Sequence, residues 1–392
     1  MEPFAAAPAA LALMPAALFA ALAAWRLRRL RLPTIGVEGV VTLILPVAGQ
    51  APGLAALFRA LAAQTLQPRR LVAVVENEAD PAHALVRELA PSCPFPVELR
   101  VAGHVPWRGQ KNTNLLAGFA AVDVEDDAVV LLDADILPQP WWLSALASPA
   151  MTGEYHIVTG FRWQLLHGRG LVGHSVAFID RMAAVLVLPP RFGLVWGGSV
   201  GLSRRALAVL DLPRLLDRAL VDDLTIGEAA KRHGLRFLAR GALVVPTPAE
   251  DGSSRAQWAF LRRQIQVVRI CQPGFWCCLM AMAHLSALGW LAALLALPDD
   301  PWAAVMLLGL SGFGALRALL HARLGARIGA PDAPAGIAAQ AMVGAVPPLA
   351  DGLLAALGWT MLRPRRLRWR HVEYEVRGPR SVRVLRRFPH GG

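Results

Sequence analysis

Apolar positions follow two different rhythms along this chain. Residues 4–25, 275–297, 302–320 and 335–362 are apolar almost without interruption. Each of the first three runs is long enough to cross the hydrocarbon core of a bilayer. Between about 37 and 250 the apolar residues come instead in short clusters. "VVTLILP" (40–46), "LVAVVE" (71–76), "VELRV" (97–101) and "AVVLLD" (128–133) read as strands. Residues 53–64, 80–90 and 112–121 carry helical spacing between them. Continuous apolar strands alternating with helices predict a mostly parallel sheet covered on both faces, an α/β domain whose ligands gather at the carboxyl ends of the strands.

The flanking charges orient the runs. Basic residues follow the first run, at Arg26–Arg31, where a cleaved signal peptide would carry them in front. This predicts an uncleaved anchor with its N-terminus outside and the rest of the chain in the cytosol. The turn "PDDP" (298–301) between the second and third runs is acidic, and Arg317, Arg323 and Arg327 follow, which places that turn outside and the next connection inside. Pro347, Pro348 and Asp351 interrupt the last run, so 335–362 is expected to be a re-entrant or interfacial helix pair that keeps the arginine-rich end cytosolic. The expected organisation is an anchor over 1–31, a cytosolic catalytic domain over 36–272, membrane helices over 273–362 (two spans and that pair), and a basic cytosolic tail over 363–392. The protein is thus expected in the inner, cytoplasmic membrane as a multi-pass protein. Residues 170–190 are too charged for a span, with His174, Asp180 and Arg181, and read as an amphipathic helix near the bilayer. His174 itself, like the Trp141–Trp142 pair, takes a structural reading.

Composition sharpens this picture. A mean hydropathy of +0.43 with 17% charged residues is too apolar for a wholly soluble protein. The net charge of +12 is concentrated beside apolar runs, in "RLRRLR" (26–31) and "RPRRLRWR" (363–370), which favours a membrane surface and argues against nucleic acid as a partner. Cys93, Cys271, Cys277 and Cys278 have no metal-ligand spacing and read as reduced thiols. Among 40 basic residues only Lys111 and Lys231 are lysine, and the three asparagines are Asn77, Asn112 and Asn114. That Ala/Arg bias points to a GC-rich bacterial genome.

Against this background four polar groups stand out. Asp133 and Asp135 leave the strand at 128–133; two carboxylates one residue apart can share one hard divalent cation, Mg²⁺ or Mn²⁺, with substrate phosphate. A bland alternative is an acidic turn capping a helix over 140–147. "GQKNTNL" (109–115) places Lys111, Asn112 and Asn114 at a helix start, a site suited to phosphate or a polar nucleotide group, with capping by Asn112 or Thr113 as the alternative. Asp222 and Asp223 open a helix and are either a capping pair or a general base with its helper. Gln266 and Arg269, three apart on a helix, are either a headgroup-facing surface or a diphosphate clamp.

Taken in order, "ENEADP" (76–81), "GQKNTNL" (109–115), "LLDADI" (131–136), "WGGSVGLSRRAL" (196–207), "VDDL" (221–224) and "RRQIQVVR" (262–269) resemble the ceramide glucosyltransferase branch of the family 2, GT-A fold glycosyltransferases. The resemblance spans roughly 38–275. It implies a UDP-sugar donor, a divalent cation and a membrane-lipid acceptor. Position by position it implies nucleoside recognition by Asp80, with Glu76 and Glu78 as rivals. Asp133 and Asp135 become the metal-binding DxD, with Asp135 the favoured direct ligand, and Asp223 the base of an acidic pair with Asp222. Gln266 and Arg269 match a QxxR, and Trp196, Gly197, Gly198 and Ser199 an acceptor-lining loop. Ile270 stands where the family carries tryptophan after Arg269, which leaves the acceptor open and argues against a processive polysaccharide synthase. "WRHVEY" (369–374) is similar to a WRGxxY-like tail, with His371 in place of glycine. The implied reaction is a single displacement with inversion at the anomeric carbon. Diacylglycerol, a hopanoid or a polyprenyl phosphate are rival acceptors, the last kept open by Arg191 and Arg204; an inactive scaffold or a transporter is the rival class.

Overall fold

Seven strands build the central sheet of a computed structural model that describes residues 7–31, 38–166, 170–186, 194–248, 253–362 and 365–389. The strands are β1 (Val41–Pro46), β2 (Arg70–Val75), β3 (Val97–Val101), β4 (Ala128–Leu132), β5 (Ile157–Gln164), β6 (Ser199–Ser203) and β7 (Phe237–Thr247), in the order β3-β2-β1-β4-β6-β5-β7. The pairs β1–β2, β2–β3 and β1–β4 are parallel; β6 runs antiparallel to both β4 and β5. All five residues of β4 are buried, as a strand covered on both faces requires. Ile44, Leu115, Val129, Leu131, Val200, Leu202, Leu210 and Ile226 form one core beside the sheet. Each such aliphatic side chain contributes about 1.5–3 kcal/mol on burial. The α/β expectation holds, and strand ends fall within a residue of those read from the sequence. Arg191 lies outside the described residues, as do positions 4–6 of the first apolar run and residue 36 at the expected domain junction.

The chain divides into two compact units. One comprises 31–162, 187–248 and 365–392; the other comprises 1–30, 163–186 and 249–364. The arginine-rich C-terminus, expected as a tail, therefore belongs with the seven-stranded sheet. It folds as a second, antiparallel sheet of β8 (Arg366–Trp369), β9 (Val372–Gly378) and β10 (Ser381–Arg387). Its apolar residues alternate: Leu367, Val372, Tyr374, Val376 and Val382 are buried. On the alternate positions Glu375 pairs in register with Arg366 and Arg383, and Glu373 with Arg368 and Arg386. Acidic residues so alternate with arginines across the strands, and Glu375 also pairs with Arg377 on its own strand at 3.0 Å.

The second unit holds three helices long and apolar enough to cross a membrane, Ala9–Arg29, Pro273–Ala296 and Pro301–Arg327. A further pair, Pro334–Ala345 and Pro347–Thr360, is bent by 103° at the proline break. Gly314 and Gly344 let two of these helices cross closely: a Cβ on Gly314 would sit 1.8 Å from the Gly344 carbonyl oxygen. The charged helix expected near 170–190 spans Leu171–Leu186, and its Arg181 is fully buried. Arg181 makes a bidentate pair with Asp332 at 2.6 and 2.8 Å and stacks over Trp163 at 4.5 Å. His174 is a core residue whose carbonyl accepts a hydrogen bond from Gln340 Nε2 at 2.7 Å.

Candidate active site

Parallel β1 and β4 run side by side, so β4 delivers Asp133 to the carboxyl edge of the sheet, with Asp135 on the turn that follows. The next helix, Trp142–Met151, has Trp141 at its N-cap, and that side chain makes no capping hydrogen bond. Because β6 pairs antiparallel with β4, Leu132 opposite Ser199, the loop Trp196–Gly198 that enters β6 arrives beside Asp133. The Asp133 N–H donates to the Gly198 carbonyl at 3.4 Å. Asp222 and Asp223 open the helix Asp223–Arg232. The Asp223 carboxylate accepts from the main-chain N–H of Gly197 at 3.1 Å and of Leu224 at 2.7 Å.

Lys111, one residue into the helix Gln110–Phe119, ties these pieces together. Its Nζ lies 2.8 Å from Asp133 Oδ1 and 3.3 Å from Asp222 Oδ2, and donates to the Gly197 carbonyl at 3.2 Å. Three carboxylates and one ammonium thus form a single cluster under the Gly197 loop. A Cβ at Gly197 would lie 2.6 Å from Asp222 Oδ2 and 2.7 Å from Lys111 Nζ, so any larger residue there must displace those side-chain ends. Burial raises the Asp223 pKa, the neighbouring Asp222 charge raises it further, and Lys111 with the two N–H donors holds it back; the result is pushed up to about 6. The three carboxylates overcome the burial that would drive the proton off Lys111 and hold its ammonium well above the ordinary lysine range.

Other expected residues take different places. Asn112 and Asn114 are buried and bonded to main chain, Nδ2 of the first to the Ala219 carbonyl at 2.9 Å and of the second to the Val74 carbonyl at 3.1 Å. Their amides fasten the helix to the loop before Asp222 and to β2; neither caps the helix. Asp80 caps the helix Pro81–Leu89 through Ala82 N–H at 2.9 Å and also accepts from Gly49 N–H at 2.8 Å, while Glu78 is exposed. Glu76, just past β2, is buried under the C-terminal sheet, bonded to His371 Nε2 at 2.7 Å and Arg387 Nη1 at 2.5 Å. Burial alone would raise its pKa; the His371 hydrogen bond and the charges of Arg387, His371 and His104 outweigh it and hold the carboxyl below the ordinary range. Arg387 also donates to Gln110 Oε1 at 2.9 Å, and the Gln110 N–H donates to the Tyr374 hydroxyl at 3.0 Å. Trp196 is buried against Phe161 with ring centroids 5.7 Å apart, and Ser199 accepts from the Trp142 indole at 2.7 Å. Only the glycines of that loop therefore face the carboxylate cluster.

Comparison with known proteins gives the family. A family model, Glycosyl transferase family 21, matches residues 8–382. The chain belongs to glycosyl transferase family 21. It is a GT-A glycosyltransferase of the ceramide glucosyltransferase family. No curated protein sequence matches it. Among solved structures it is similar to a mannosyltransferase from Pyrobaculum calidifontis in complex with GDP-mannose and Mn²⁺. That pair shares 19% identity at a TM-score of 0.49, covering 92% of this chain and 99% of that one. It is also similar to glucosyl-3-phosphoglycerate synthase from Mycobacterium tuberculosis in complex with Mn²⁺, UDP and glucosyl-3-phosphoglycerate. There the identity is 18% at a TM-score of 0.39, covering 59% of this chain and 80% of that one.

Within this glycosyltransferase the donor set suits a hard cation only as a partial shell. Among the described residues no three His, Cys, Asp or Glu side chains converge on one metal position. The Asp133–Asp135 pair fits an ion that draws its remaining ligands from phosphate and water, and the ammonium at Asp133 Oδ1 already occupies a cation's place there. Gln266 and Arg269 lie on the helix Ser254–Cys271, in the unit that holds the apolar helices; Arg269 Nη1 donates to the Leu362 carbonyl at 3.2 Å. Arg387 is the residue that reasoning from sequence missed; Tyr374 and His371 entered only through the similarity of "WRHVEY" to a related tail, and the alternation in "HVEYEVRG" was the signal for the strand that carries them.

Proposed function

We propose that this glycosyltransferase moves a hexose from a UDP-sugar to the hydroxyl of a membrane lipid of the ceramide or sphingolipid kind, with inversion at the anomeric carbon. The observation that carries the reading is the Asp223 carboxyl, raised to about 6 and fixed by two main-chain N–H groups beside Asp222, Lys111 and Asp133. A carboxylate of that basicity is mostly ionised at neutral pH and still accepts a proton from an attacking hydroxyl. The Gly197 and Leu224 N–H groups set the direction of its lone pairs. Asp222, by its negative charge, keeps Asp223 basic. Lys111 neutralises charge on the departing diphosphate, the kind of electrostatic term that dominates such reactions. Asp80 and Glu78 recognise the nucleoside. A divalent cation, when bound at Asp133 and Asp135, supplies further charge neutralisation to the leaving group. The three long apolar helices support a membrane-resident acceptor, and the basic residues at Arg26–Arg31 support a cytosolic catalytic unit at the inner membrane.

The test is UDP release from UDP-glucose and ceramide by detergent-solubilised full-length protein. The reading expects turnover that EDTA abolishes and Mn²⁺ restores, and that Asp223→Asn lowers at least a thousandfold. Equal turnover by Asp223→Asn, or no UDP release with ceramide, diacylglycerol, hopanoid or polyprenyl phosphate, would overturn it.

A further inference from the structure

Lysine at position 111 is an oddity in a chain whose other basic residues, Lys231 aside, are all arginines. The geometry gives a reason. An ammonium is a compact point charge with three N–H donors, and three acceptors surround this one: Asp133 Oδ1 at 2.8 Å, Asp222 Oδ2 at 3.3 Å and the Gly197 carbonyl at 3.2 Å. A planar guanidinium instead spreads the same charge over five donors on a wider fork. The cluster also has a charge problem. Asp133, Asp222 and Asp223 bring up to three negative charges to one small volume, and Lys111 is the only cation within ion-pair distance of them among the described residues.

We propose that Lys111 is a tethered stand-in cation for the DxD. Without donor it holds Asp133 and Asp222 in place through its own ammonium; as a divalent cation and the diphosphate arrive together, it releases Asp133 to the ion and turns to the phosphate oxygens. The inference rests on the reading of the DxD as a cation site. It goes beyond that reading in making cation binding and diphosphate binding conditional on each other. The free cation must displace a bonded ammonium, whereas the cation with UDP offers that ammonium a new anionic partner. A site so built rejects bare Mn²⁺ and accepts the Mn²⁺–UDP pair, which protects the carboxylate cluster from being locked by metal alone.

The experiment measures Mn²⁺ binding to full-length protein in detergent by the loss of the free-ion EPR signal, with and without UDP, so that no turnover is required. Lys111→Met, which keeps the length and drops the charge, is expected to tighten binding of Mn²⁺ alone at least tenfold and to weaken UDP binding in saturating Mn²⁺ at least tenfold. Lys111→Arg, which keeps the charge, is expected to hold the affinity for Mn²⁺ alone within threefold of wild type. Asp133→Asn should remove the tightened binding from the Lys111→Met background, which identifies the site. Unchanged or weaker binding of Mn²⁺ alone in Lys111→Met overturns the proposal. So does a Lys111→Arg protein that behaves like Lys111→Met, since packing and not charge would then be at work. Thermal unfolding of each variant checks that it is folded. Should UDP-sugar turnover fail for every lipid while these shifts are seen, the acceptor reading falls and this inference stands.

Discussion

Replacing Glu76 by glutamine tests whether the C-terminal sheet is a working part of the catalytic unit. Glu76 is 3% exposed, and its two oxygens are taken by Arg387 at 2.5 Å and His371 at 2.7 Å. The amide keeps the shape and removes the charge, which leaves the Arg387 guanidinium and the His371 ring facing a neutral group. Breaking a buried charged pair costs about 3–5 kcal/mol. The Arg387 side chain retains 22% of its exposure, so solvent repays part of that and about 2–4 kcal/mol is the fair expectation. For the 392-residue chain, with roughly 2–4 °C per kcal/mol in units of this size, the apparent melting temperature should fall by roughly 4–16 °C. Many large proteins unfold irreversibly, so the comparison is made at one scan rate and read as relative stability. A double-mutant cycle with Arg387→Met isolates the pair, and a coupling of about 1 kcal/mol or more is expected. The pH dependence has a fixed sign. The carboxyl's pKa is depressed in the folded protein from an ordinary value of 4.5, so its stabilisation is complete above that value and is lost as pH falls through the lower folded pKa. Glu76→Gln should flatten that acid limb. Single substitutions costing under about 0.5 kcal/mol, with additive effects, would refute the reasoning and return the segment to the status of a tail.

Turnover should rise with pH along a limb at or below about 6, because Asp223 must be ionised to take a proton; Asp222→Asn, removing the like charge, should move that limb to lower pH in a pH–kcat profile. Gly197→Ala should cut kcat at least tenfold with little change in melting temperature. Its Cβ would meet the far ends of two side chains, 2.6 Å from Asp222 Oδ2 and 2.7 Å from Lys111 Nζ, so folding can adjust where the cluster cannot. Arg181→Ala should destabilise the apolar unit by about 3–5 kcal/mol, seen as lost folded yield in detergent, because Asp332, its side chain 3% exposed, is left buried without its bidentate partner.

The parts legible in the sequence were those where one physical demand dominates. Strands β1, β2 and β4 are buried on both faces, so their apolar runs could be read directly, and the acidic residues at the end of β4 could be placed at the ligand edge. The asparagines were a different matter. A buried amide at a helix start bonds equally well to a ligand or to a carbonyl, and only the fold reveals that Ala219 and Val74 present those carbonyls. The C-terminal sheet was hidden by arginine itself. Nine arginines between 365 and 387 read as charge, yet on β8–β10 most of them occupy the solvent side of half-buried strands whose other side is Leu367, Tyr374 and Val376. His371 makes the point most sharply. As a sequence feature it was a departure, histidine where the related tail carries glycine. In the fold it supplies the Nε2 that meets Glu76 Oε2 at 2.7 Å, a contact a glycine has no atom to make. The departure therefore marks a place where this chain adds a clasp between its C-terminal sheet and the end of β2. That clasp also gives Glu76, a rival for the nucleoside, two protein partners of its own, His371 and Arg387.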